Sequence, residues 1–214
     1  YDTGTAWSDG SMARAVVIPY MQSMGINNID KLVVIHGETD HAGSVPDFLA
    51  EVVVEQLYAG ESLPDINRPI ILCAQQSWYW QGVYFEFLSP SGNSQYNGNN
   101  ASCVLSVTYQ QQRILLTGDI GRKVEAQLVD RYGEGLRSTI IIAPHHGSIS
   151  SSSWPFIKHV SPEVVVFSTG YLNRFNHPNS RVLARYESLG VKTYNTAVNG
   201  AVMVRLNKKV PPTI

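Results

Sequence analysis

Four potential metal ligands close the segment Leu32-Val33-Val34-Ile35-His36-Gly37-Glu38-Thr39-Asp40-His41. A β-branched apolar run ends abruptly in His36, Glu38, Asp40 and His41, at relative positions 0, 2, 4 and 5. Successive side chains of an extended chain point to opposite sides, so His36 and Glu38 share one side as the chain leaves a strand. Asp40 and His41, adjacent to each other, then turn toward a second point a few ångströms away. That spacing suits two neighbouring divalent metals, and the chemistry it favours is metal-assisted hydrolysis.

The other candidate ligands follow the same rule of placement. His36, His41, His145, His146 and His177 all sit in polar, Gly- or Pro-flanked turns after apolar runs, and only His159 lies in a helix-like stretch. With Asp40 and Asp119 they form a set that strand ends could bring to one point, because strand ends are rigid mounts. Each residue also has a plainer reading. Asp2 could cap a turn, Asp119 after Gly118 could be a turn residue, and His177-Pro178 could lead into a helix at Ser180. Ser148 and the serines at 150–153 read as caps for a helix from Trp154 rather than as nucleophiles.

The elements that must position these residues are legible from pattern. Residues 16–24 carry mixed helical patterning with Pro19 near the first turn, and 31–36 read as a buried strand. A short helix is expected over 45–51, with Ser44 as its N-cap and Pro46 in its first turn. Residues 70–74 form another strand, and the aromatic 78–88 a single longer one with a wet face. After the Gly- and Asn-rich loop 89–100, residues 102–109 and 113–116 form a hairpin ending at Gly118-Asp119. Helices are expected over 122–132, 154–160 and 180–189, strands over 139–143 and 164–168, and a closing pair of strands over 192–206. Strands with ligands at their ends, interrupted by helices, fit a layered α/β (α+β) architecture in one domain.

Composition narrows the class. The chain has 214 residues, 43% hydrophobic and 15% charged, with a formal net charge of −1. It is therefore globular, and any nucleic-acid site must be a local basic patch. No run of about 18 apolar residues offers a membrane span. Cys73 and Cys103 lie in separate apolar runs, lack zinc-finger spacing and read as buried free thiols, with a disulfide the alternative in an oxidising compartment. Tyr1-Asp2-Thr3-Gly4 reads as the end of a strand and a turn, as in a piece cut from a longer chain.

The chain resembles the metallo-β-lactamase superfamily, and within it the C-terminal domain of ComEC-type DNA-internalisation competence proteins. The hallmark H-x-H-x-D-H stands here as His36-Gly37-Glu38-Thr39-Asp40-His41, followed by Ala42-Gly43. Glu38 occupies the second-histidine position, as a carboxylate commonly does in ComEC-type domains. The match continues through Tyr1-Asp2-Thr3-Gly4, Leu116-Thr117-Gly118-Asp119-Ile120, Pro144-His145-His146-Gly147-Ser148, His177-Pro178 and the 196–200 segment. It implies an αββα sandwich over 1–206, with a C-terminal tail at 207–214.

The resemblance also implies a site. His36 and Glu38 would hold one metal, Asp40 and His41 the other, and Asp119 would bridge them. His145 or His146 would complete the second metal while its neighbour faces substrate phosphate. Asp2 would hold a ligand's imidazole N–H or the loop around His41, and Ser148, Asn173 and His177 would contact phosphate or steady a ligand. The family's further histidine for the first metal is missing, since residues 98–102 read Gly-Asn-Asn-Ala-Ser. Together with Glu38 this makes the first site weaker and harder, favouring one or two Mn2+ or Zn2+ ions.

The activity implied is a metal-dependent nuclease that degrades the non-imported DNA strand during competence, using a metal-activated water. Its partners would be single-stranded DNA and the membrane channel domains of the same full-length protein, on the outer face of the inner membrane. Arg14, Arg122, Lys123, Lys158 and Arg174 are candidate phosphate contacts, and Trp78, Trp80 and Tyr96 candidate base contacts. The alternatives are a catalytically weak DNA-guiding module, or a small-ester hydrolase such as a phosphocholine esterase or lactonase. A β-lactamase departs further from the residues present.

Overall fold

Pairing of apolar strands organises the computed structural model, which describes residues 1–74, 76–92 and 97–206. The chain divides into two compact units, Tyr1–Ala74 with Pro90–Cys103, and Gln75–Ser89 with Val104–Ile214. The expected tail at 207–214 lies outside the described residues.

The first unit opens on the small ribbon of β1 (Ala6–Trp7) and β2 (Gly10–Ser11), followed by a π-helical turn at Ala13–Val17 that runs into α1 (Ile18–Ser23). Next come β3 (Asn28–Val34), α2 (Thr39–Ala42), α3 (Val45–Glu51), β4 (Val53–Ala59) and β5 (Ile71–Leu72). The three longer-range strands form a parallel sheet in the order β3-β4-β5. Leu32 and Val34 of β3, Leu57 of β4, Phe48 of α3 and Ile18 of α1 share one core, whose burial drives this packing. Val34 pairs with Ala59, so Ile35-His36 and Gly60-Glu61 leave the sheet at the same edge.

In the second unit β6 (Ser77–Trp80), β7 (Val83–Ser89), β8 (Val104–Tyr109) and β9 (Gln112–Leu116) form antiparallel hairpins. The chain continues through α4 (Arg122–Tyr132), β10 (Ile140–Ile142), α5 (Trp154–Val160), β11 (Val164–Phe167), α6 (Ser180–Ser188), β12 (Lys192–Asn195) and α7 (Thr196–Asn199). The seven-stranded sheet runs β12-β11-β10-β9-β8-β7-β6, parallel from β9 to β12. Ile142 stands level with Leu116 on one side and Val166 on the other. The turns carrying Asp119, His145-His146 and Ser168 therefore leave one edge at one level, the carboxyl edge where open α/β sheets place their sites.

Several expectations need correction. Residues 78–88 are a hairpin, not one strand: Gln81 and Gly82, both at positive φ, turn the chain back on itself. The closing strand pair is instead β12 followed by α7, because the Asn195 side chain accepts the Ala197 N–H and caps a helical turn. Ser44 occupies the N-cap position of α3 without capping it; its hydroxyl donates to the Thr5 carbonyl and accepts the Ala13 N–H. Cys73 and Cys103 are not free thiols but a disulfide, fully buried.

Candidate functional site

The first unit presents the hallmark segment where β3 ends. His36 and His41 are buried, with ring centroids 4.6 Å apart, whereas Glu38 and Asp40 are exposed. Asp2 ties this corner together. One of its carboxylate oxygens accepts the Ile35 N–H at 2.9 Å, and the other lies 3.1 Å from His41 Nδ1. A carboxylate can only accept, so His41 Nδ1 carries the proton and Nε2 keeps its lone pair, 3.5 Å from Asp40 Oδ2. With its proton on Nδ1, His41 would be suited to hold a metal through Nε2.

His36 is set differently. Its Nδ1 accepts the Glu38 N–H at 3.2 Å. In the neutral ring the proton then sits on Nε2, and a metal at that nitrogen would need the proton moved off it.

A residue unmarked from the sequence holds this loop. Glu61 accepts the Gly37 N–H at 2.8 Å through Oε1 and the Gly98 N–H at 3.0 Å through Oε2, joining the hallmark to the segment that lacks the family's further histidine. The signal available was its position, an acidic residue just past a strand end like the ligands themselves. Gly60 beside it is obligatory, because a Cβ there would lie 1.9 Å from the Ala101 carbonyl oxygen.

The second unit gathers Asp119, His145, His146 and His177. Asp119 is buried, with Oδ2 3.7 Å from His145 Nε2 and 3.6 Å from His146 Nε2. His146 Nδ1 lies 2.8 Å from the Ser168 carbonyl oxygen, which can only accept, so Nε2 again keeps its lone pair. His145 Nδ1 meets the Ser150 hydroxyl at 3.3 Å, and Ser150 in turn meets Ser148 at 2.9 Å. Both histidines adopt left-handed backbone angles, φ 49° and 53°, a conformation of order 1 kcal/mol or more for a residue with a Cβ. Gly147 follows them because a Cβ there would stand 2.7 Å from the Phe167 ring.

His177 lies 6.1 Å from the His145 ring, and burial, then the nearby His145 and His146, holds its pKa below the ordinary histidine value. Asn173 spends both ends of its amide on the backbone of this turn, donating to the His177 carbonyl and accepting the His177 N–H. It builds this turn. The serines at 150–153 do not cap α5 with their side chains. Glu125, buried on α4, accepts the Ser152 and Ser153 N–H groups instead, and burial pushes its carboxyl pKa up.

The other sequence candidates are placed as follows. Arg14 pairs with Asp47 and Glu51, Arg122 donates to the Ile149 carbonyl, and Lys158 lies over the Trp154 ring. Trp78 stacks on Phe85 within the hairpin. Tyr96 lies outside the described residues.

Fold and ligand chemistry together agree with the comparisons. The family model for the metallo-beta-lactamase superfamily matches residues 1–168, and the chain belongs to that superfamily. Its fold, a metallo-β-lactamase fold, implies a metal-dependent hydrolase in general terms. The chain is 37% identical over 208 residues to competence protein ComA of Neisseria gonorrhoeae, covering 97% of this chain and 29% of that protein. It is 34% identical over 205 residues to recombination protein 2 of Haemophilus influenzae, covering 95% and 26%. The chain thus spans less than a third of either relative. Among solved structures it is similar to the metallo-beta-lactamase fold protein YhfI from Bacillus subtilis, with a TM-score of 0.53 and 10% identity over 87% of this chain and 80% of that one, a likeness of fold alone.

Proposed function

We propose that this chain is a metal-dependent phosphodiesterase that cuts DNA during uptake, as one part of a longer competence protein. The observation that carries the reading is the matched state of two histidines. Asp2 and the Ser168 carbonyl each hold a ring Nδ1–H, so that His41 and His146 both offer Nε2 beside a carboxylate. We assign Asp40 with His41 in the first unit, and Asp119 with His146 in the second, as metal-donor pairs. In each pair a carboxylate and an imidazole make a mixed oxygen and nitrogen set that suits Mn2+ or Zn2+. His36 and Glu38 would serve a further, weaker ion, or none.

Such an ion supplies a Lewis acid and lowers the pKa of a water. The chain's residues do the rest. Asp2 and Ser168 keep the two ligand rings in the metal-binding tautomer. His145, released from ligation and steadied at Nδ1 by Ser150, presents Nε2 as the group that hydrogen-bonds the phosphate or protonates the leaving oxygen. The relatives' names, a competence and a recombination protein, support DNA as the substrate, and the disulfide supports an oxidising compartment outside the cytoplasm.

The test is cleavage of end-labelled linear single-stranded DNA with Mn2+, with Zn2+ and with chelator. Cutting is expected only with metal, lost in Asp40→Ala and His146→Ala, and slowed but still metal-dependent in His145→Ala. Full activity in chelator, or in His146→Ala, would refute it. The engaged Nδ1 of His36 favours one second reading, a DNA-guiding module with no turnover; intact protein that binds DNA in every metal and never cuts it would establish that instead.

A further inference from the structure

The loop between β11 and α6 contains a feature that catalysis by the assigned ligands does not use. Tyr171, Leu172 and Phe175 are 79%, 84% and 62% exposed, a cluster of large apolar side chains in a span of five residues. The loop that bears them is firmly built. Asn173 bonds the Gly170 and His177 carbonyls and the His177 N–H, and the Asn176 N–H bonds the Asn173 carbonyl. At its start, Thr169 is held by Thr196 and Asn195, and the Ser168 carbonyl holds His146. A braced loop that keeps three large apolar groups in water is arranged to contact something.

The chemistry of the tip points to a flat, anionic ligand. The Arg174 guanidinium lies over the Phe175 ring at 4.7 Å, and that ring is nearly parallel to His177, 22° apart at 5.7 Å between centroids. Tyr171 adds a second aromatic ring, almost wholly in solvent. Planar rings with a cation stacked among them accept nucleobases of any sequence while the charge meets the backbone. A lipid surface would call for several cations around the apolar tip, whereas this segment carries Arg174 alone among residues 168–178.

We propose that residues 171–175 are a stacking platform for a base of single-stranded DNA, holding the strand beside His145, His146 and His177. The proposal deepens the DNA-cutting reading and rests on it for the substrate class. It explains how a site assembled around one phosphate would prefer a polymer with exposed bases over a small diester.

The test is binding of two fluorescent probes to the full chain in chelator, where no cutting is read: a thymidine 12-mer and an abasic 12-mer with the same phosphates. The thymidine probe is expected to bind about tenfold more tightly, as one good aromatic stack predicts. Tyr171→Ala combined with Phe175→Ala should remove that difference, and Tyr171→Phe should keep it. Equal affinity for the two probes, no binding of either, or a difference that survives the double substitution would overturn the platform. So would a double variant that keeps base discrimination but loses adsorption to phosphatidylglycerol vesicles, which would assign the tip to lipid. Base discrimination without metal-dependent cutting would sink the cleavage reading and leave the platform standing.

Discussion

Asp2 shows how a residue far from the hallmark decides what the hallmark can do. Its two oxygens serve the Ile35 N–H and His41 Nδ1, so it fixes both the strand end and the ring's tautomer. Loss of a carboxylate behind a ligand histidine typically costs 10- to 100-fold in metal affinity. Asp2→Ala is therefore expected to weaken Mn2+ or Zn2+ binding by about that factor while the circular dichroism spectrum stays folded; unchanged affinity in a chelator competition would remove Asp2 from the site. Residue types and spacing made Asp2, Asp40, His41, Asp119 and the His145-His146 pair readable as candidates from sequence. The proposed choice of His146 over His145 as a ligand was not, because it turns on one carbonyl, that of Ser168, which pattern cannot place next to a ring nitrogen.

Elements rather than ligands hold the geometry, and two buried or half-buried glutamates do much of the holding. Glu61 receives two backbone N–H groups from the hallmark loop and the Gly98 turn. Glu61→Ala leaves both donors without their charged acceptor, so a loss of about 1–3 kcal/mol is expected in urea unfolding, with weaker metal binding alongside. Glu61→Gln, which keeps one acceptor oxygen, should fall between; an alanine variant as stable as the parent would show that water replaces the carboxylate. Glu125 organises the 148–153 loop from α4 and gives a pH signature. Burial raises its folded pKa above the ordinary 4.5, so between those values the folded state keeps a proton that the unfolded chain has released. Its contribution to stability is then fully present below 4.5 and declines as pH rises through the folded pKa. Glu125→Gln should flatten that part of the stability–pH curve while lowering its height, and an unaltered slope in the variant would assign the dependence elsewhere. The helices over Val45–Glu51 and Trp154–Val160 were legible because Pro stands near each first turn, and that over Arg122–Tyr132 because its apolar residues recur at helical spacing. β4 was not, since Glu55 and Gln56 interrupt its apolar run and its identity as a strand comes from pairing with β3.

At the scale of the whole molecule the decisive feature is the path of the chain. It leaves the first unit after Ala74, contributes residues 75–89 to the second, and returns for 90–103 before leaving again. Cys73 and Cys103 stand next to the first and last of these crossings, and their disulfide closes a loop with a sequence separation of 30. Sequence left this link open because the two half-cystines lie in unrelated apolar runs, and only the fold of the first unit brings them within bonding reach. A cross-link over that length removes unfolded-state entropy worth about 3–4 kcal/mol. The bond also anchors a functional segment, because the Cys103 N–H bonds the Ile35 carbonyl immediately before His36, and the Tyr1 hydroxyl bonds the Cys103 carbonyl just above Asp2. Paired Cys73→Ala and Cys103→Ala substitutions are expected to lower the unfolding free energy by about that amount and to loosen metal binding with it. Because both half-cystines are fully buried, dithiothreitol should reach the same state only under conditions that open the first unit. Rapid reduction of the native protein, or a double variant with the parent's unfolding midpoint, would show that the link is neither sealed in the core nor needed to hold the hallmark strand in place.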